Sequence, residues 1–529
     1  MQSNFSRMLR RALRAHENGE LAQAERLYNA LLREDLDNFD VLHGLGLLHY
    51  QRGRLNTALT LMQSALRRDL GRAGGFASLG LVFHSMRRFK EALVSYDAGL
   101  RIEPANAELL NRRGVALLDL DCPAEALETF EGILAAEPDR LDALGNYGNA
   151  LIKLNRPAEA LAAYNRALAL APQNAQLLTN RAVALRRLDR PREALMSASA
   201  ALVARPDFAQ AKFVEAVTRL TLGDFSAGWR GYESRWQVGA LASQRRSFTM
   251  PLWLGREPLD GKTILLHAEQ GFGDTLQFVR YAPLLAERGA KQIILEVQPE
   301  LKRLLQPMPG VSAVVARGEP LPRFDVYCPL LSLPLALATE LGTIPGDIPY
   351  VFPADADVAA WRERLPRRRP LVGLAWSGER SHDNDRNRSM PLETLLPLLD
   401  LPDLSFVSLQ HEVREEDISI LQDHSHALHV TEPFRDFADT AAAVWHADLV
   451  ISVDSAVAHL AGAMGKPVFL LLPYAADFRW LRERQDSPWY PTARLYRQAE
   501  FGNWDSVIGA LRQQLTRTSF LRPARKLSA

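Results

Sequence analysis

Residues 111–176 read NRRGVALLDLDCPAEALETFEGILAAEPDRLDALGNYGNALIKLNRPAEALAAYNRALALAPQNAQ, and in them one helix–turn–helix phrase occurs twice at a spacing of 34. A frame set at residue 5 and stepped by 34 extends this to seven repeats without insertion or deletion. One small position runs Ala12, Gly46, Gly80, Gly114, Gly148, Ala182 and Ala216. Twelve residues later stand Ala24, Ala58, Ala92, Ala126, Ala160, Ala194 and Gly228. Small side chains there let two antiparallel helices approach closely. Four residues further, Tyr28, Met62, Tyr96, Phe130 and Tyr164 supply bulk to pack between helices. Pro104, Pro138, Pro172 and Pro206 close four of the repeats, where a residue without an N–H ends a helix.

This pattern resembles the tetratricopeptide repeat over residues 5–242. The resemblance implies an α-solenoid in which each repeat buries its apolar stripe on its neighbours, leaving a long concave face for a peptide or protein. The last repeat departs from the others. In LGDFSAGWRGYESRW (222–236), Trp229 and Trp236 join Gly228, which reads as a cap between the array and the C-terminal half of the chain. Asn146 and Asn180 hold equivalent positions in consecutive repeats, with Asn111 and Asn149 nearby. An amide both donates and accepts, so these four are the candidate acceptor-binding residues for an extended peptide backbone. A similar asparagine ladder lines the repeats of O-GlcNAc transferase. The ladder is short here, since Arg10, Gly44, Ser78, Arg112 and Val214 stand where it would continue, and ordinary solvated helix surface is the competing reading.

Composition narrows the classes. The chain has 529 residues, 47% of them hydrophobic, with 63 Lys and Arg against 62 Asp and Glu. That balance argues against nucleic acid as a partner and against an acidic disordered chain. Two cysteines, Cys122 and Cys328, make neither a disulfide framework nor a metal knuckle. The N-terminus lacks an apolar signal region, and PVFLLLP (467–473) is too short to span a membrane. A cytoplasmic protein is expected.

After residue 245 the period changes. TILLHAEQ (263–270), QIILEV (292–297), SAVVAR (312–317) and DVYCPL (325–330) read as strands, with helical patterns at 275–289 and 299–306. The Pro- and Gly-dotted stretch 342–355 reads as a linker. A second set of strands lies at 370–378, 405–410, 427–430, 449–454 and 467–473, with a closing helix at 503–516. The expectation is two Rossmann-like domains with parallel sheets, 246–350 and 351–529, facing each other across a cleft. The tail with Arg522, Arg525 and Lys526 reads as loose, and the arginines at 362, 364 and 367–369 as a solvated edge.

In doubly wound folds chemistry gathers beyond the C-terminal strand ends, and three segments lie there. GFGD (271–274) opens a helix, so Asp274 is either a helix cap or a general base. In VDSAVAHLAGAMGKP (453–467) a strand ends at Asp454 and a helix starts at Ser455, with free N–H groups suited to a diphosphate. His459 lies on the same helical face as Ser455, and packing against the sheet is its bland alternative. In WSGERSHDNDRNRS (376–389), Ser377 and Gly378 leave the backbone bare, while Arg386 and Arg388 suit a phosphate unless the loop is merely solvated. Gln410 ends its strand in position to bond a nucleotide or phosphate. GKT (261–263) lacks the upstream glycine of a phosphate loop, and HEVRE (411–415) lacks the second histidine of a zinc protease. His424, His426 and His429 mimic a metal cluster but read as a loop entering a strand.

On those residues, 260–515 resemble a GT-B glycosyltransferase, and specifically the family 9 enzymes, the ADP-heptose:lipopolysaccharide heptosyltransferases. The family's Gly-Asp at the opening of the first helix is matched by Gly273 and Asp274, which implies Asp274 as catalytic base. Its donor-binding D-T-G-x-x-H-L is matched by Asp454, Ser455, Ala456, His459 and Leu460, with Ser for Thr and Ala for Gly. Repeats fused to such an enzyme also resemble the plan of O-GlcNAc transferase and of bacterial flagellin glycosyltransferases, in which repeats bring a protein acceptor to the cleft. The resemblance implies a nucleotide-sugar co-substrate with no further cofactor, and inverting, metal-independent transfer. Two rival readings remain: a heptosyltransferase-like enzyme of surface polysaccharide, and a non-catalytic scaffold whose GT-B half senses a nucleotide.

Overall fold

The computed structural model describes residues 2–367, 370–425, 427–430 and 433–517. The arginines at 368 and 369, His426, and the tail with Arg522, Arg525 and Lys526 lie outside them. The chain divides into two compact units, Met1–Ala184 and Leu185–Ala529. The 34-residue frame runs through this division, so the helices from Pro191–Ala204 onward belong with the α/β half.

In the first unit, helices alternate in strict phase, from Phe39–Gln51 and Leu55–Arg68 to Leu141–Lys153 and Pro157–Leu170. Asn38 and Asn106 cap first helices through their side chains, and Pro123 and Pro157 open second helices at the position that needs no N–H. The small and bulky positions face each other. A Cβ added at Gly80 would lie 2.3 Å from the Tyr96 ring, at Gly114 2.5 Å from Phe130, and at Gly148 2.4 Å from Tyr164. Each aromatic ring therefore occupies the space that its own repeat's glycine leaves open. Hydrogen bonds recur at a separation of 35, as in His43 to Ser78, Tyr50 to Ser85, His84 to Asp119 and Asn111 to Asn146. Successive first helices thus stack with a one-residue offset from the repeat length.

The second unit contains three further repeat helices, ending at Phe225–Tyr232, and two wholly parallel sheets. The first sheet holds β1 (Thr263–His267), β2 (Gln292–Val297), β3 (Ala313–Ala316) and β4 (Val326–Pro329), in the order β3-β2-β1-β4. The second holds β5 (Leu371–Ala375), β6 (Ser405–Ser408), β7 (Leu428–His429), β8 (Leu449–Val453), β9 (Val468–Leu472) and β10 (Ala493–Arg497), in the order β10-β9-β8-β5-β6-β7. Counted within the second sheet this is 6-5-4-1-2-3, the doubly wound Rossmann order. Its central strands β5, β8 and β9 are buried along their whole length (VFLLL in β9), as cover on both faces demands. The reversals of strand order, between β1 and β4 and between β5 and β8, open a crevice at the C-terminal strand ends.

The last repeat behaves as a cap. Trp229 is 1% exposed and packs edge-on to Phe278 and Phe478, whose centroids lie 6.0 and 5.7 Å away. Arg235, wholly buried, bonds Glu233, Glu269 and Ser332. From the linker, Tyr350 N–H donates to Ala463 O at 2.9 Å, and its hydroxyl donates to Leu276 O. No helix of the described residues is long and apolar enough to cross a membrane.

Candidate functional site

The GFGD turn follows β1 and opens the helix Phe272–Phe278. Asp274 Oδ2 accepts the Gly271 N–H at 2.9 Å, which caps the helix, and Oδ1 pairs with Arg479. Arg479 comes from the other sheet, on the turn Phe478–Trp480 that follows β9. It is 8% exposed, and it donates to Asp477 Oδ1 at 2.7 Å and to the buried Gln277 Oε1 at 2.8 Å. Burial alone would raise the Asp477 carboxyl, but the guanidinium holds it below its ordinary range.

Behind Gly273 stands His459. A Cβ at Gly273 would sit 2.7 Å from His459 Cδ2, so the glycine lets the two helix starts touch. The imidazole shares a hydrogen bond with the Tyr490 hydroxyl (3.0 Å), stacks on Trp480 (centroids 5.3 Å apart) and places Nε2 3.9 Å from Asp454 Oδ1. Burial, reinforced by Arg479, pushes its pKa down to about 3, so the ring is neutral at physiological pH. Burial pushes Asp454 up to about 6, with the Asp477 charge adding to it and Arg388 opposing.

Beyond β8, Ser455 is the N-cap of the helix Ala456–Ala463, and its Oγ lies 3.0 Å from Ser452 Oγ. Its side chain caps no backbone N–H, and while the Ala458 N–H donates to Ser455 O, the N–H groups of Ala456 and Val457 at the helix start are left for another acceptor. Arg388 Nη1 donates to Asp454 O at 3.0 Å, across the β5–β8 switch point. A Cβ at Gly378 would meet Arg388 Nη2 at 2.5 Å, so the guanidinium lies on bare backbone. Gln410 clamps that loop: Oε1 accepts the Trp376 and Ser377 N–H groups at 3.2 Å, and Nε2 donates to Ser377 O at 2.9 Å. Gly378 N–H donates to Ser389 Oγ, which donates to Asp385, itself paired with Arg414. A cleft of about 330 Å³ opens here, lined by Ser377, Gly378, Arg380, Glu412, Val413 and Arg414. That volume is at the lower end of the roughly 300–1,000 Å³ typical of small-ligand sites.

Packing thus joins Gly273, Asp274, Ser377, Gly378, Arg388, Gln410, Asp454, Ser455, Ala456 and His459 at the strand ends. Arg386 is set apart, on the exposed side of the short helix Asp385–Arg388. The four asparagines lie in the other compact unit and bond one another: Asn146 Nδ2 donates to Asn111 Oδ1 at 3.0 Å, and Asn180 Nδ2 to Asn149 Oδ1 at 2.8 Å. Asn149 Oδ1 also accepts the Tyr164 hydroxyl, and Asn111 Nδ2 donates to Asp142. His424 and His429 face separate backbone carbonyls, those of Ile420 and Arg364. Sequence reading missed the D-x-D pair Asp383 and Asp385, of which Asp385 is taken up by Arg414 and Ser389. It also missed DFRW (477–480) and SPWY (487–490), which supply Asp477, Arg479, Trp480 and Tyr490. The available signal was a run of charge and aromatics placed directly after the apolar β9.

Tetratricopeptide-repeat profiles match residues 9–73 and 117–183. The chain is 27% identical over 323 residues to Protein FlbA of Caulobacter vibrioides, covering 56% of this chain and 53% of that one. It therefore spans about half the length of this curated relative. Among solved structures, a tetratricopeptide repeat protein of Parabacteroides merdae is 18% identical with a TM-score of 0.40, covering 45% of this chain and 94% of that one. A repeat protein of Thermus thermophilus is 24% identical with a TM-score of 0.30, covering 34% and 98%. The N-terminal half is a tetratricopeptide array, a scaffold of the kind that binds other proteins.

Proposed function

We propose that the α/β half is a GT-B glycosyltransferase acting on a protein recruited by the repeats. The observation that carries this reading is the contact of Gly273 with His459, which joins the candidate base segment to the candidate diphosphate segment. In the proposed reaction the diphosphate of a nucleotide-sugar rests on the free N–H groups at Ser455 and Ala456, with the Arg388 guanidinium alongside. The nucleoside lies toward the cleft at Ser377 and Gly378. Asp274 takes the proton of an acceptor hydroxyl as its oxygen bonds the anomeric carbon. The bond from that carbon to the diphosphate oxygen breaks, and the nucleoside diphosphate leaves with the electron pair. Attack opposite the leaving group inverts the anomeric centre.

One observation favours the scaffold reading. Both oxygens of Asp274 are engaged, by Gly271 and Arg479, as in a structural cap. Asp274→Asn separates the two. Loss of turnover by roughly 10²–10⁴-fold with nucleotide affinity intact is the expected result for a general base. Turnover retained in a folded variant removes the base assignment, and nucleotide binding without turnover in the native protein establishes the scaffold.

A further inference from the structure

Arg479 has no part in the proposed transfer, yet its guanidinium bonds three side chains drawn from both sheets' elements. It reaches from the second sheet's turn to Asp274 on the first sheet's helix, and holds Asp477 through Nη1 and Gln277 through Nε. Its guanidinium lies over Phe478, 4.5 Å from the ring centroid. The next residues fix that turn. Leu481 adopts φ +49° and ψ −159°, a conformation that a branched side chain takes only when its surroundings enforce it. Arg482 then pairs with Asp189 at 2.9 Å and donates to the Asp189 carbonyl, tying the turn to a repeat corner of the same compact unit. A guanidinium held on three sides has one geometry to offer its fourth partner. That partner is the carboxylate of the candidate base.

We propose that Arg479 is the positioning residue for Asp274, acting from the opposite sheet to aim the carboxylate at the acceptor hydroxyl. The proposal rests on the transferase reading for its chemistry, because Arg479 acts only through the proton that Asp274 accepts. It makes the base depend on both sheets being in register: Gly271 fixes one oxygen from within the first sheet's helix, and Arg479 fixes the other from outside.

Two measurements on the full chain test it. The first needs no substrate. Gln270–Gly271 is the sole Gln–Gly pair in the sequence, so carbonyl-labelled glutamine with ¹⁵N-glycine isolates the Gly271 amide, whose partner is Asp274. In Arg479→Met this resonance moves or broadens, and in Arg479→Lys it returns toward its native position. An unmoved resonance in Arg479→Met overturns the proposal even if no sugar nucleotide is ever turned over. The second is a double-mutant cycle on sugar release from UDP-, ADP-, GDP- and CMP-sugars. Arg479→Met lowers kcat by roughly 10²-fold while KM for the sugar nucleotide stays within about twofold, and adds nothing in an Asp274→Asn background. Additive losses overturn the positioning role. Absence of turnover in the native protein overturns the transferase reading and leaves the amide measurement to decide on Arg479.

Discussion

Gly273 is the residue on which the site turns, because it separates two helix starts by no more than an imidazole. His459 cannot yield, held as it is by Tyr490 and Trp480. Gly273→Ala is therefore expected to cost roughly 1–3 kcal/mol, as overpacking does. His459→Ala in the same chain restores most of the loss, and thermal unfolding of the single and double variants checks this; an unchanged Tm in Gly273→Ala rules out the contact. Asp454 gives a pH signature. Its carboxyl is raised to about 6 in the folded protein, so between the unfolded range near 4 and that value the folded chain holds a proton the unfolded chain has lost. Its contribution is fully present below about pH 4 and lost as pH rises through about 6. Asp454→Asn should flatten that decline, leaving the variant more stable than the native protein at pH 7.5; parallel stability curves would refute this.

Among the elements, three repeats follow one rule: a glycine in the first helix (Gly80, Gly114, Gly148) admits an aromatic ring from the second. Gly148→Ala places a methyl 2.4 Å from the Tyr164 ring and should destabilise the array by roughly 1–3 kcal/mol. Gly132 lies in the helix Pro123–Ala136 with nothing within 4 Å of an added Cβ. Gly132→Ala should stabilise by roughly 0.5–1 kcal/mol through helix propensity alone. Denaturant unfolding followed by circular dichroism compares the two, and equal effects would break the packing rule. These elements were legible in the sequence, because a 34-residue period and unbroken apolar runs are local signals. QIILEV at 292–297 is β2 residue for residue. Strand β10 was not legible: ARLYR, at the edge of the sheet, sets arginines among its apolar residues and so breaks the apolar run.

At the scale of the molecule, the sequence pointed to strand ends that the fold brings together but not to the charges that organise them. Asp274, Asp454 and His459 were readable from short motifs at strand–helix junctions. Arg479 was not, since it stands 205 residues from Asp274 and only the crossing of two sheets brings them together. Gln410, whose place at a strand end suggests a nucleotide or phosphate contact, clamps the Ser377 peptide instead, a role that only the folded loop reveals. The asparagines show the converse. Their positions were clear from the period, but their amides are partnered with one another, so a bound peptide backbone must compete for them or use their remaining valences. The proposed transfer unites the molecule: a sugar moves within the crevice of the α/β half to a protein held by the repeats. Release of nucleoside diphosphate from a panel of nucleotide-sugars by the full chain, with Asp274→Asn alongside, probes that transfer head-on. Release from at least one donor is expected, slowed by roughly 10²–10⁴-fold in the variant while nucleotide still binds; no release from any donor, or equal release by both proteins, would be incompatible with it.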